Sequence, residues 1–169
     1  EHDALSARAR AADCSIDYCF PHRIGALAVL EAACKGAPSD WKARYCMGNL
    51  LGWLYRGNEA MRYWREAVSL GGDTAVLYRN LAMGAWHWEN DGAAAADYFQ
   101  HAIAANPSDY RYYLDLQRLY AELLGRDEEL QLEILQKAPS DVQGRWQITA
   151  INARLLVKLG RYDEALDIL

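Results

Sequence analysis

Turn signals recur along this chain at nearly constant intervals, and this recurrence restricts the fold more than any other feature. Pro38, Gly72, Pro107 and Pro139 each mark a turn, and the successive intervals are 34, 35 and 32 residues. Intervals of this size indicate an array in which each repeat is one supersecondary unit that buries its apolar face against its neighbours. The sequence therefore predicts a repeat protein.

The residues between the turns favour helices. In the unit 41–74, apolar residues recur at helical spacing over 41–55 and again over 59–70. Gly48 and Ala60 are small enough to let the two helices approach closely. Runs of Val, Ile or Thr with period-two alternation are absent between the turns, so no sheet is expected. Each unit is predicted to be a pair of helices.

Small and large residues return at fixed places in successive units. The places spaced by 34 and then 35 residues are Ala26, Ala60 and Ala95; Leu30, Trp64 and Phe99; and Ala33, Ala67 and Ala102. This pattern resembles the tetratricopeptide repeat, whose 34-residue signature runs W-x2-L-G-x2-Y, then A-x3-F-x2-A, then P. The match is good over 41–74 and 75–109. It weakens from Tyr110, because the helix 128–137 lacks the small residue expected at its start.

The resemblance implies an all-α, right-handed α-solenoid of antiparallel helix pairs. A single array over 1–169 is expected, and its units are about 1–40, 41–74, 75–109, 110–145 and a truncated 146–169. The first unit is expected to hold a short helix at 4–12 and a second helix at 22–36.

A narrower resemblance involves three short stretches. Residues 18–23, 28–33 and 77–82 are similar to the repeat tail of large bacterial proteins that carry a β-rich domain of unknown function. This resemblance implies that any catalysis lies outside the segment. It supports an alternative function, in which the array is a structural or self-association region of a larger, carbohydrate-related enzyme.

Charge and motifs exclude several classes of function. The net charge of −5 is opposite in sign to a phosphate-binding surface, so nucleic acid is not expected as a partner and an RNA-binding helical repeat is the less favoured alternative. No apolar run approaches the ~20 residues of a membrane-spanning helix. A Gly-rich phosphate loop, H-E-x-x-H and G-x-S-x-G are all missing. The chain is predicted to be a non-enzyme that needs no cofactor.

The cysteines indicate a reducing compartment. Four thiols are too few for a disulfide scaffold of this length, so a cytoplasmic location is expected. Cys14, Cys19 and His22 have donors that suit zinc, but the sequence shows no convincing fourth ligand, and no metal site is predicted. The chain begins without Met, and we expect it to be a piece of a longer polypeptide.

The resemblance also implies where a ligand binds. In tetratricopeptide arrays the first helices of successive units line a concave groove through the second, fifth, sixth, ninth, twelfth and thirteenth residues of each unit. The site residues that this implies are Lys42, Tyr45, Asn49, Trp53, Arg79, Asn80, Met83, Trp86, His87, Arg111 and Arg118. Some family members hold a terminal carboxylate at such places; Asn49, Asn80 and Arg111 match that clamp, whereas Tyr45 and Asp115 replace its Lys and Arg.

The inferred surface carries a charge opposite to that of the whole chain. Its six basic residues (Lys42, Arg79, Arg111, Arg118, Arg154 and Lys158) face two acidic ones (Asp115 and Glu122), so its net charge is 6 − 2 = +4. This excess predicts an acidic extended or helical peptide as the partner, with Trp53 or Trp86 on an apolar anchor. The alternative, that the basic residues merely form solvated helix faces, stays open at this point.

The last unit predicts a second kind of contact. It is expected to leave Leu155, Leu159, Tyr162, Leu166 and Leu169 without a following helix to cover them. An exposed apolar surface of this kind predicts a homodimer formed end to end.

Overall fold

The computed structural model describes residues 15, 16 and 19–169, whose regular elements are all helices, with no strand among them. The ten helices in this part are α1 (Ala26–Gly36), α2 (Trp41–Trp53), α3 (Gly57–Ser69), α4 (Ala75–His87), α5 (Gly92–Ala105), α6 (Tyr110–Glu122), α7 (Glu128–Gln136), α8 (Ser140–Gln143), α9 (Trp146–Lys158) and α10 (Tyr162–Asp167). They fall in two compact units, residues 1–71 and 72–169. The helix predicted over 4–12 lies outside the described residues. No described helix combines the length and apolarity needed to cross a bilayer.

The first unit is built on the pair α2–α3, against which α1 packs. Gly48 of α2 lies directly under the ring of Trp64, and a Cβ atom at this position would come within 2.4 Å of the indole Cδ1 and Nε1 atoms. Ala60 and Met61 of α3 are fully buried. A glycine is required at residue 48 because the large side chain occupies the space a methyl group would need. Helix α1 begins at Ala26, later than the predicted start at 22.

Side-chain caps fix where several helices begin. The Asp40 carboxylate accepts hydrogen bonds from the amides of Lys42 and Ala43, at 2.9 and 3.2 Å. Thr74, Asp91, Asp109 and Asp127 accept from amides of the first turns of α4, α5, α6 and α7 in the same way. Each such cap contributes about 1 kcal/mol, because it satisfies amides that have no partner inside the helix.

The second unit contains the pairs α4–α5, α6–α7 and α9–α10. Helix α6 packs on α5 and α9 packs on α7, so the pairs stack in chain order. Leu81, Ala95 and Phe99 are fully buried, at the large and small places of the repeat signature. Gly92, at the start of α5, lies against Leu124, which follows α6. A Cβ atom at residue 92 would come within 2.6 Å of Leu124 Cδ2.

The pair α6–α7 departs from the pattern of the pairs before it. Helix α7 has nine residues, and the single-turn helix α8, which the sequence pattern did not predict, precedes α9. Its core nevertheless continues into the last pair: the buried members are Tyr113, Leu132, Leu135, Ala138, Val142, Ile148, Leu155, Leu156 and Ala165. The apolar packing is therefore continuous from α6 through α9 and α10 despite the short α7 and the extra turn.

Candidate functional site

In the first unit the structure corrects two of the predicted ligand contacts. Tyr45 is fully buried, so its side chain does not reach a surface that a ligand touches. Asn49 is 7% exposed, and its amide is committed to internal hydrogen bonds. Its Oδ1 accepts from Trp64 Nε1 at 3.0 Å, and its Nδ2 donates to the backbone oxygen of Cys19 at 2.9 Å. A buried indole N–H needs such an acceptor, and Asn49 supplies it.

The other two predicted residues of α2 are accessible. Trp53 is 57% exposed, and its ring meets the edge of the His22 ring at a centroid distance of 6.4 Å. Lys42 is half-buried in the first turn, where its backbone amide donates to the Asp40 cap. Trp53 is the largest exposed apolar side chain of α2.

In the second unit, α4 and α6 present their predicted residues side by side. Arg79 Nε donates to Asp115 Oδ2 at 2.8 Å, in the first half of both helices. Near the end of α4, the Arg118 guanidinium lies over the Trp86 ring, 5.8 Å from its centroid. Contacts at both places show that α4 and α6 run parallel. We call this surface the α4–α6 face; its residues are Arg79, Met83, Trp86, His87, Asp115 and Arg118.

Trp86 is the centre of the α4–α6 face, but it is not the open anchor that the sequence predicted. It is 8% exposed, since the His87 ring stacks on it with centroids 4.8 Å apart and an interplanar angle of 12°. Arg118 covers another part of the ring and also contacts Glu122 Oε1 at 3.4 Å. The exposed groups here are therefore the His87 imidazole and the Arg118 guanidinium, both supported by the indole.

Asn80, Met83 and Arg111 complete the predicted set in this unit. Asn80 and Met83 are half-buried, whereas Arg111 is exposed. The Arg111 guanidinium binds the Asp109 carboxylate through both Nε and Nη2, at 2.8 and 2.5 Å. Although burial alone would raise the pKa of Asp109, the hydrogen bonds from Arg111 lower it below the ordinary value. Arg111 was predicted to bind a ligand carboxylate; in the structure it binds instead the carboxylate of Asp109, the N-cap of its own helix.

The structure also corrects the predicted charge excess. Asp109 and Glu128 were absent from the sequence-based count, yet both neutralise residues that were in it. The ion pairs of the second unit that involve counted basic residues are Arg79–Asp115, Arg111–Asp109, Arg118–Glu122 and Lys158–Glu128. In this unit only Arg154, among the counted residues, has no carboxylate partner within the described part of the chain. A strongly positive surface is not formed.

Metal-binding chemistry is also limited. Within residues 15, 16 and 19–169 there is no group of three or more His, Cys, Asp or Glu side chains placed to hold a metal ion. Cys14 lies outside the described residues. Cys19 and Cys46 have their sulfur atoms 3.7 Å apart; Cys19 is exposed and Cys46 is half-buried.

Solved structures share this fold. The crystal structure of MamA superposes with a TM-score of 0.70 at 22% identity, covering 85% of this chain and 82% of that one. YrrB, described as a TPR protein with an unusual peptide-binding site, gives 0.65 at 19% identity, covering 85% and 72%. A MamA fragment from Desulfovibrio magneticus RS-1 gives 0.65 at 19%, covering 85% and 80%. No protein-family model matches the chain.

These likenesses show the fold of the chain. The chain has the helical-repeat fold of tetratricopeptide proteins, as the signature residues implied.

Proposed function

We propose that this chain is a non-catalytic module that binds a protein or peptide segment through the exposed faces of the first helices of its repeats. The observation that supports this most is the α4–α6 face, where an arginine and an imidazole are displayed on a buried indole. Arg and Trp are enriched at the centres of protein interfaces because they combine apolar area with directed hydrogen bonds. The peptide-binding site named for YrrB supports the same use of a related fold.

The ion pairs of the α4–α6 face are compatible with an acidic ligand. The pair Arg118–Glu122 has side chains that are 57% and 56% exposed, and its atoms are 3.4 Å apart. Exposed pairs of this kind contribute only ~0–1 kcal/mol, so a ligand carboxylate can replace Glu122 at small cost. The Arg79–Asp115 pair is different, because Asp115 is only 13% exposed and depends on Arg79. Arg118 is therefore the residue we assign to ligand contact.

Selection of peptides from a random display library tests the proposal. Binding of the selected peptides is measured by fluorescence anisotropy for the native protein and for Arg118→Ala, with Lys137→Ala as the matched control. Lys137 forms an exposed ion pair with Glu133 at the same spacing as Arg118–Glu122, but it lies at the end of α7. We expect Arg118→Ala to weaken binding about threefold to tenfold and Lys137→Ala to leave it unchanged. Equal affinities for all three proteins would refute the assignment of the face.

Self-association is a second candidate function, and a specific surface favours it. Between α9 and α10 lies an apolar groove of about 400 Å³, bounded by Val157, Tyr162, Leu166 and Leu169. These four side chains are 49%, 62%, 71% and 83% exposed. Two residues of the sequence prediction do not belong to it: Leu155 is 1% exposed and Leu159 is half-buried in the core.

A further inference from the structure

A polar cleft opens in the second unit at the point where the repeat signature changes. In the first two complete pairs, small residues stand at the corresponding places of both helices: Gly48 and Ala60, then Ala82 and Ala95. Ala60 and Ala95 each lie four residues after the N-cap of their helix. In the third pair, Gln117 stands 35 residues after Ala82, and Gln131 stands four residues after its N-cap. Glutamine therefore replaces a small residue on both helices.

The two glutamines form a fixed polar floor. They are 2% and 6% exposed, and Gln117 Nε2 donates to Gln131 Oε1 at 2.8 Å. Gln131 Nε2 in turn donates to the backbone oxygen of Arg126 at 2.7 Å, which holds the α6–α7 loop against α7. Each amide nitrogen carries two hydrogens and uses one of them in these bonds. The second hydrogens are not used in these bonds, and both residues line the cleft.

The cleft has a volume of about 490 Å³ and is open to solvent. Its walls come from α6, the α6–α7 loop, the start of α7 and the end of α9; the lining side chains used below are Gln117, Arg126, Asp127, Glu128, Gln131, Arg154 and Lys158. Small-ligand sites occupy ~300–1,000 Å³. A space of this size accepts one or two residues of an extended chain rather than a folded surface.

The charges of the cleft favour a single anionic group. Lys158 and Glu128 pair with each other at 3.1 Å, and Asp127 accepts from the amide of Leu130 at 2.9 Å as the cap of α7. Arg126 and Arg154 have no carboxylate partner in the part of the chain that the structure describes. Three basic and two acidic side chains give 3 − 2 = +1. This balance suits a carboxylate better than a phosphate group, which carries about −1.5 to −2.

We propose that this cleft binds the side-chain carboxylate of an acidic residue in an extended peptide. Arg126 and Arg154 hold the carboxylate by charge-assisted hydrogen bonds, and the amide hydrogens of Gln117 and Gln131 face the peptide backbone. The inference rests on the proposed function and gives its ligand a chemical class. It also gives a role to the two glutamines at places that are small elsewhere, because both line the cleft with amide groups.

Titration with a short probe tests the cleft by itself. N-acetyl-Glu-Glu-amide is added at low salt to the ¹⁵N-labelled protein, and the side-chain amide signals of Gln117 and Gln131 are followed by NMR. We expect both to shift, and we expect Arg126→Ala with Arg154→Ala to weaken binding about tenfold or more. Arg145→Ala is the control, since Arg145 is exposed and lies over the Tyr110 ring away from the cleft. The variants change exposed residues, and circular dichroism verifies that they remain folded.

The outcomes separate the two proposals. Unchanged binding of the diglutamate probe to the double variant overturns the cleft, as does equally tight binding of N-acetyl-Gln-Gln-amide. Inorganic phosphate that competes more strongly than the probe overturns the peptide assignment. Failure of the proposed function appears elsewhere, as library-selected peptides that are insensitive to Arg118→Ala, so either result can occur without the other.

Discussion

The contact between Gly48 and Trp64 gives the sharpest prediction about stability, because the same substitution should have opposite effects in two backgrounds. Gly48→Ala adds a Cβ atom that would lie 2.4 Å from the nearest atoms of the Trp64 indole. Trp64 has little freedom to move, since its Nε1 donates to Asn49, which is itself bonded to Cys19. Overpacking of this kind costs ~1–3 kcal/mol, and alanine recovers ~1 kcal/mol of helix propensity. Because the clash is close, we take the upper part of the overpacking range and expect the free energy of unfolding to fall by about 1–2 kcal/mol.

Trp64→Ala alone removes a side chain that is 5% exposed and should cost about 3–5 kcal/mol. In that background the space above residue 48 is empty, so Gly48→Ala should stabilise the protein by about 1 kcal/mol. The two changes are thus coupled by roughly 2–3 kcal/mol, a value expected for neighbouring residues and not for distant, independent ones. Hydrogen exchange of the α2 amides measures these free energies in the unit that carries the changes. If Gly48→Ala has the same effect in both backgrounds, Trp64 does not lie over Gly48 and the reasoning fails.

Three further outcomes are expected. Burial, together with the neighbouring Cys19, raises the pKa of Cys46 to about 12 from 9.0, so little of the reactive thiolate is present at pH 8. Alkylation of Cys46, followed by mass spectrometry, should therefore be at least about a hundredfold slower in the native protein than in urea. Burial, together with the charge of Asp109, raises the pKa of Tyr112 to about 12 from 10.0. The unfolded chain therefore loses this proton at a lower pH than the folded chain does, and the free energy of unfolding should fall between about pH 10 and 12. The fall should be smaller in Tyr112→Phe. Leu166 is 71% exposed, so Leu166→Asp should change the free energy of unfolding by less than about 0.5 kcal/mol. The same substitution should reduce self-association measured by sedimentation velocity. A native protein that stays monomeric at high concentration would contradict the apolar groove as an interface.

The fold was predictable because its determinants are local and periodic. Small and large residues at spacings of 34 and 35 required helix pairs, and an acidic residue before Trp41 marked the start of α2. These signals depend on neighbours within one turn or one repeat. The extra turn α8 was not predictable in this way, because it fills a connection that the repeat signature does not specify.

The site was less predictable, because position in a repeat fixes a helical face but not the depth of a side chain. Asn49 stands at a ligand-facing place, yet the buried indole of Trp64 takes its oxygen. The Arg111 pairing with Asp109, two residues away, was readable from the sequence and was missed, since only groove positions were counted. The Lys158–Glu128 pair joins residues 30 apart on different helices, and only the packing of α9 on α7 brings them together.

The most direct test of the account is to map a bound peptide on the protein. A library-selected peptide is titrated into the ¹⁵N-labelled chain, and changes in chemical shift are assigned along α4 and α6. We expect the largest changes at the Trp86 indole, His87 and Arg118, with little change on the outer surface of α5, for example at the exposed His101. Changes confined to α5, or an absence of changes along α4 and α6 under saturating peptide, would contradict the claim that the first helices form the binding surface.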